Sequence, residues 1–279
     1  MSENETRDPN RIRPFLEKIA EYWEKYPDLR FGQLVLNAVN DKNALYNIEE
    51  SDFLKKLSSY IAVAEDKDND YLGAHDYFSL VVECSREHIY PDIVKDFYAF
   101  LASQGFRFVS GFWDNTDESY ENIIKVNQQK LEENYVMPGG TDDLKDDYMQ
   151  LLFDYDGNHE TRSYIFNRPE DYVFTFDIII PEEDLLSYEN GKIHYFESKF
   201  STLIELAKKI WELPFVNVIQ TSLELSDVPK TYEELKYNIE ALAVEPFAIL
   251  PNRFDKNILK TRFDVTDISK EGLLVRIKE

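Results

Sequence analysis

The sequence predicts an α+β fold in which an N-terminal three-helix module precedes a ferredoxin-like mixed or antiparallel sheet with helices on one face. The first observation is a change of period: apolar residues recur every three or four positions up to about residue 64, whereas β-rich runs begin at Tyr77. The second is that the order strand, helix, strand occurs twice, over 78–110 and 174–222. Two such halves in one sheet are typical of a ferredoxin-like fold.

The predicted helical module covers residues 1–64. Asp8 and Pro9 favour a helix start, and apolar residues at helical spacing follow as far as Trp23. Pro27 then ends the first helix. Helices are expected at about 9–25, 28–39 and 51–62.

The run at 7–12 (Arg-Asp-Pro-Asn-Arg-Ile), Trp23 and the run at 27–34 (Pro-Asp-Leu-Arg-Phe-Gly-Gln-Leu) resemble a small helical domain of uncharacterised bacterial and phage proteins. The resemblance covers about a fifth of the chain. It implies a compact three-helix unit and a bacterial or phage origin, and it brings no catalytic residues.

The segment Glu65 to Asp70 has no apolar residue and combines charge with turn formers, so it is the predicted linker. The sheet domain is then expected over 71–279. Within it, the charged segment 114–146 is predicted to be an insertion that contains a helix over 119–133. Strands are expected at 78–82, 106–112, 148–155, 162–167, 171–180, 215–225, 244–250, 262–265 and 273–277, and further helices at 89–104, 201–212 and 231–239.

The chain is strongly acidic, with a formal net charge of -23 at pH 7. Such a charge repels nucleic acids and anionic membrane surfaces, and it favours association with a basic protein. The alternative is that acidity serves solubility alone. The charge therefore indicates a class of partner and excludes direct nucleic-acid binding.

Cysteine usage and hydropathy predict a cytoplasmic protein. Cys84 is the only cysteine, so no intramolecular disulfide is possible, and the polar stretch 2–10 does not have the character of a signal peptide. No apolar run approaches the roughly 20 residues that a membrane-spanning helix needs. We therefore expect no membrane span.

Catalytic and metal-binding motifs are weak. Cys84 and His88 are the closest pair with a metal-ligand character, but we favour a buried thiol with a nearby surface imidazole over a catalytic or metal-binding role. No Gly-x-Gly-x-x-Gly, Walker or Gly-x-Ser-x-Gly motif occurs. The sequence predicts no catalytic residue, no metal ligand and no cofactor.

Two acidic patterns have alternative explanations. Asp154, Asp156, Asn158 and Glu160 are spaced as in a cation-binding loop, but the pair Asp156-Gly157 also predicts a tight hairpin turn. Asp177 with the run Glu197-Ser198-Lys199 resembles the Asp...Glu-x-Lys pattern of restriction-like nucleases, which an acidic surface would oppose. We favour a hairpin turn over a cation-binding loop, and we reject a nuclease site.

Aromatic residues alternate with carboxylates in two stretches that suit a protein interface. Burial of Trp113 and Tyr120 in the fold is an equally good explanation. The predicted partner-binding residues are Trp113, Asp114, Asp117, Glu118, Tyr120, Glu170, Asp171 and Tyr172.

The leading hypothesis is an acidic protein-binding protein. In its acidic, aromatic-rich α/β character the chain is similar to cytosolic immunity proteins of polymorphic-toxin systems, which implies inhibition of a basic toxin. A second hypothesis is an enzyme or small-ligand binder with a pocket between sheet and insertion, lined by Glu83, Asp154 and Asp177. A third is a structural or regulatory module. The sequence does not predict an oligomeric state.

Overall fold

A computed structural model describes residues 8–24, 31–39, 48–66, 76–112, 115–136, 147–189 and 192–278. The chain divides into two compact units, Met1–His75 and Asp76–Glu279. Each unit has its own buried apolar cluster. The first is helical, whereas the second combines helices with a large antiparallel sheet, so the chain is α+β.

The first unit contains the helices α1 (Ile12–Trp23), α2 (Phe31–Val39) and α3 (Glu50–Asp66). Asp8 accepts a hydrogen bond from the Asn10 backbone N–H at 2.9 Å, but it caps a 3₁₀ turn that precedes α1. The buried apolar residues of this unit are Ile19, Leu34, Ala38, Val39, Phe53 and Leu57.

Helix α3 runs four residues beyond its predicted end at Ala62. Residues 63–66 (Val-Ala-Glu-Asp) contain no helix breaker, so nothing in the sequence stops the helix there. Two residues of the predicted linker, Glu65 and Asp66, are therefore helical. The rest of that linker lies outside the described residues.

The second unit is built on a nine-stranded sheet with the order β10-β11-β9-β8-β1-β5-β4-β3-β2, and every ladder in it is antiparallel. A separate hairpin pairs β6 with β7. The strands are β1 Tyr77–Ser85, β2 Arg107–Gly111, β3 Leu151–Asp154, β4 Thr161–Arg168, β5 Val173–Pro181, β6 Leu186–Glu189, β7 Lys192–Tyr195, β8 Val216–Ser222, β9 Phe247–Pro251, β10 Phe263–Ile268 and β11 Gly272–Ile277.

Three helices cover one face of the sheet: α4 (Ile93–Ser103), α5 (Tyr120–Glu132) and α6 (Glu197–Trp211). Alternate residues of β1 and β5 point towards them, because successive side chains of a strand face opposite sides. These residues belong to the main buried cluster. Within it, the rings of Phe97 and Phe176 stack with centroids 3.8 Å apart.

The predicted insertion at 114–146 contains α5, which packs into the main core. Ile123, Ile124 and Leu131 of this helix are buried in the same cluster as the sheet residues. Ser119 caps it by accepting a hydrogen bond from the Asn122 N–H at 3.2 Å. The helix is therefore part of the core layer, although the charge of the flanking residues suggested an appended segment.

Helices also occur on the second face, which the sequence had predicted to be free of them. The short helices α7 (Tyr232–Tyr237) and α8 (Lys256–Arg262) contribute Leu235 and Leu259 to a second apolar cluster. The sheet residues of this cluster, such as Ala248 and Leu250, alternate with β9 residues of the main core. The sheet end formed by β8–β11 is therefore apolar on both faces.

The hairpin turn predicted at Asp156-Gly157 is confirmed. Both residues have positive φ, 51° and 67°, and the Asn158 N–H donates to the Tyr155 carbonyl at 3.0 Å. The β6–β7 hairpin and α8 were not predicted, because their short polar sequences have little apolar periodicity.

Candidate functional site

The half of the second face formed by β1, β5 and β4 lies outside the second apolar cluster, whose sheet residues come from β8–β11. We call this half the open face. Its side chains are those that alternate with the main-core residues of the three strands. They include Tyr77, Ser79, Val81 and Glu83 of β1, Thr175, Asp177 and Ile179 of β5, and Arg162, Tyr164 and Phe166 of β4.

An aromatic residue stands exposed on this surface. Phe166 of β4 is 57% exposed, whereas its sequence neighbour Ile165 is buried in the main core. The two residues differ only in which face of the strand they occupy. The open face therefore offers an apolar contact point that the described chain does not cover.

A groove of about 360 Å³ lies between the open face and the loop at 223–229. We call it the Asp177 groove. Its floor includes Ser79, Tyr164 and Asp177, and its wall includes Glu224 and Asp227 of the loop. The groove therefore contains three carboxyl groups together with hydroxyl groups.

Hydrogen bonds between backbone and carboxylates hold the loop in place. Glu224 accepts from the Tyr77 N–H at 3.0 Å, and its own N–H donates to Glu182 at 3.1 Å. The Leu223 N–H donates to the Ser226 hydroxyl at 2.8 Å. The wall of the groove is thus anchored to the beginning of β1 and the end of β5.

Asp177 lies in the middle of β5, opposite Val81 of β1 and Tyr164 of β4. Its Oδ1 atom is buried and has no hydrogen-bond partner within the described part of the chain. Burial raises the pKa of this carboxyl to about 6, a rise that the nearby hydroxyls of Thr175 and Tyr164 limit. The group is therefore mainly ionised at neutral pH, with one oxygen that the described chain leaves unsatisfied.

Glu83 is the second buried carboxyl group of the open face. It lies opposite Thr175, which makes it a diagonal neighbour of Asp177, roughly 7–8 Å away between backbone positions. Its Oε2 accepts from the Tyr232 N–H at 2.7 Å, while its Oε1 is buried and has no hydrogen-bond partner among the described residues. Burial raises the pKa of Glu83 to about 7.

A buried arginine lies beside the groove, and its charge is already compensated. Arg162 lies between the rings of Tyr77 and Phe112, 4.5 Å and 4.2 Å from their centroids. Its Nε forms an ion pair with Glu160 at 2.7 Å, and Tyr77 donates to the same carboxylate at 2.9 Å. Arg162 is thus held by aromatic faces and Glu160.

Only some of the predicted partner-binding residues near α5 are described and exposed to a partner. Trp113 and Asp114 lie outside the described residues. Asp117 is exposed, and Glu118 accepts a hydrogen bond from Asn122. The Tyr120 ring packs on Phe108 at 5.3 Å, as the burial alternative proposed.

The second predicted stretch is more accessible. Glu170 and Asp171 form an exposed 3₁₀ turn, and Asp171 pairs with Arg168 at 2.6 Å. Tyr172 is 74% exposed. This stretch follows the end of β4. Through the register of β2, β3 and β4, the end of β2 is level with Ser163, which is roughly 17 Å along the strand direction from Arg168 at the end of β4.

The other predicted chemistry does not assemble. Asp154 pairs with Arg107, two strands away from Asp177, so the three carboxylates of the pocket hypothesis do not share one cavity. In the suggested cation loop, Lys199 forms an ion pair with Asp156 and donates a hydrogen bond to Asn158. Within the described ranges, no group of three His, Cys, Asp or Glu side chains could hold a metal ion.

Cys84 is a buried core residue of β1 with its thiol pKa raised well above the ordinary value by burial. The thiol is therefore protonated at neutral pH and is a poor nucleophile. His88 is exposed on the following turn.

The loop at 223–229 and the polar residue Ser79 were not identified from the sequence. The available signal was the alternation of polar with apolar residues in β1 and β5, where Ser79, Glu83 and Asp177 interrupt otherwise apolar strands. Such an interruption indicates a face that is not fully packed.

Comparison with protein-family models, with curated proteins and with solved structures finds no match to this chain. No helix in the described ranges is both long and apolar enough to cross a membrane.

Proposed function

We propose that this chain is an acidic protein-binding protein that holds a basic partner against its open face, as an immunity protein holds the toxin that it neutralises. The observation that carries the proposal is the exposed ring of Phe166 on the same face as the acidic Asp177 groove. An aromatic anchor supplies binding energy, and surrounding carboxylates steer a basic surface towards it.

The net charge of -23 supports the same class of partner. Long-range attraction raises the rate at which an oppositely charged protein meets the binding surface. We propose that the exposed stretch Glu170, Asp171 and Tyr172 contributes to the edge of the interface, together with the exposed Asp117. Inhibition would follow if the bound surface of the partner is its substrate-binding face.

We also propose that the centre of the sheet is a ferredoxin-like core. The strands β8-β1-β5-β4 are antiparallel neighbours, and α4 and α6 follow β1 and β5 in the chain. This corresponds to a β-α-β-β-α-β arrangement. The segment that contains β2, α5 and β3 is then an addition between α4 and β4.

The test is affinity capture from a lysate of the organism that encodes the chain, at low and moderate salt, followed by mass spectrometry. We expect one stoichiometric basic protein whose retention falls as salt rises. Phe166→Ser should weaken its binding about 30-fold, the effect of a hot-spot residue worth roughly 2 kcal/mol.

Tyr237→Ser is the matched control, because Tyr237 is 89% exposed on α7, over the covered half of the sheet. This variant should bind the partner as the wild type does. If no basic protein is retained, or if Phe166→Ser binds unchanged, the proposed function is wrong. An assay of the captured protein with and without the chain then shows whether binding inhibits it.

A further inference from the structure

We propose that the Asp177 groove is a binding site for an organic cation, an ammonium or guanidinium group whose charge Asp177 compensates. The cation has two possible sources, a free small amine or a basic side chain of a protein partner. Only the second source rests on the proposed function.

The first argument is the unsatisfied oxygen at the base of the groove. Asp177 Oδ1 is buried and accepts no hydrogen bond from the described chain. A buried carboxylate oxygen without a partner is costly, and buried polar atoms in native proteins are nearly always paired with a donor or acceptor. The free Oδ1 therefore indicates a donor that the folded chain does not itself supply.

The second argument is that the described chain supplies no cation to this carboxylate. Within the described ranges, no lysine or arginine forms an ion pair with Asp177. Arg162, a buried cation on β4 beside the groove, is paired with Glu160 and held between two rings. The negative charge of Asp177 thus remains available to a ligand.

The third argument is the composition of the walls. The hydroxyls of Ser79, Tyr164 and Ser222 are acceptors for ammonium or guanidinium N–H groups, and Glu224 and Asp227 add negative charge. Apolar side chains of the same groove, Ile179, Leu223 and Val228, suit the alkyl stem of such a ligand.

The donor set favours an organic cation over a metal ion. A hard divalent cation takes six or more oxygen ligands, mostly carboxylates and carbonyls in close array. The described residues contain no group of three carboxylates, histidines or cysteines arranged to hold a metal. The volume of about 360 Å³ is in the lower range of small-molecule sites, roughly 300–1,000 Å³.

The experiment uses the full chain and calorimetric titration with n-butylguanidinium and n-butylammonium, with n-butanol as the neutral analogue. We expect saturable 1:1 binding of at least one cation and no binding of the alcohol. Asp177→Asn, which keeps the shape and removes the charge, should weaken binding at least tenfold. Circular dichroism and thermal melting establish that this variant is folded.

Asp267→Asn is the matched control, because it changes the net charge equally at an exposed position of β10. It should bind the cation as the wild type does. The site is overturned if neither cation binds saturably, if butanol binds as well as the cations, or if folded Asp177→Asn retains wild-type affinity.

Two further measurements identify the source of the cation and separate this proposal from the proposed function. A short peptide with one central arginine that binds more tightly than n-butylguanidinium supports a partner side chain, whereas equal or weaker peptide binding supports a free amine. Phe166→Ser should retain the small cation. Loss of partner binding in Phe166→Ser and loss of cation binding in Asp177→Asn are therefore independent results.

Discussion

Glu83 and Asp177 are electrostatically costly, since each is a buried carboxyl group with one oxygen that the described chain leaves unsatisfied. Burial raises both pKa values, to about 7 and about 6. Perturbed carboxyl groups of this kind cluster at functional sites, where binding or chemistry compensates their cost. At the scale of single residues, these two groups mark the open face more clearly than the exposed acidic stretches do.

The pH dependence of stability tests the environment of Glu83. Its pKa is raised from 4.5 to about 7, so between these values the folded chain keeps a proton that the unfolded chain releases. The stability from this group is present below pH 4.5 and is lost as the pH rises towards 7. The free energy of unfolding of Glu83→Gln, relative to that of the wild type, should therefore rise by about 2–3 kcal/mol between pH 5 and pH 8.

Urea unfolding monitored by circular dichroism at several pH values measures this difference. Glu87→Gln is the control, because Glu87 is exposed on the turn that follows β1. Its stability relative to wild type should change little with pH. A difference between Glu83→Gln and wild type that is constant from pH 5 to pH 8 would contradict the assignment.

The short helix α7 illustrates how hydrogen bonds and burial together stabilise a short element. Thr231 and Glu234 form a reciprocal capping box, in which each side chain accepts from the backbone N–H of the other residue. The next N–H, of Tyr232, donates to Glu83. A helix of only six residues is marginal alone, so these contacts and the burial of Leu235 stabilise it.

Thr231→Ala should lower the free energy of unfolding by about 1 kcal/mol, because it removes the acceptor for the Glu234 N–H. Hydrogen exchange at 232–237 should accelerate more than exchange in β1. Thr116→Ala, at an exposed turn position, should change stability by less than about 0.5 kcal/mol. Equal losses in the two variants would show that the cap does not stabilise α7.

Elements with strong local signals were predicted well from the sequence. The order of helices and strands from β1 to β8 follows the predicted order apart from the β6–β7 hairpin, because apolar periodicity and β-branched runs are local properties. The side of the sheet to which each strand residue points was predicted less well. Whether Glu83 and Asp177 point to the same side depends on the pairing of β1 with β5, which joins residues distant in the chain.

For the whole molecule, the clearest feature is that the described part of the second unit contains two buried apolar clusters of its own. A unit with its own core is expected to fold alone. We therefore predict that a fragment of residues 76–279 melts cooperatively and keeps the far-ultraviolet signal of a sheet with helices. A fragment that aggregates or shows no cooperative transition would refute this independence.

The sequence by itself determined the local features of this protein: the helical and strand periods, the Asp156-Gly157 turn and the net charge of -23. Each depends on residues close in the chain or on composition alone. The tertiary structure alone decided the open face and its groove. The Tyr232 N–H that binds Glu83 is 149 residues away, and the 223–229 loop reaches Asp177 only through the pairing of β8 with β1 and of β1 with β5. No local pattern specifies such pairings, because strand order results from the packing of the whole sheet.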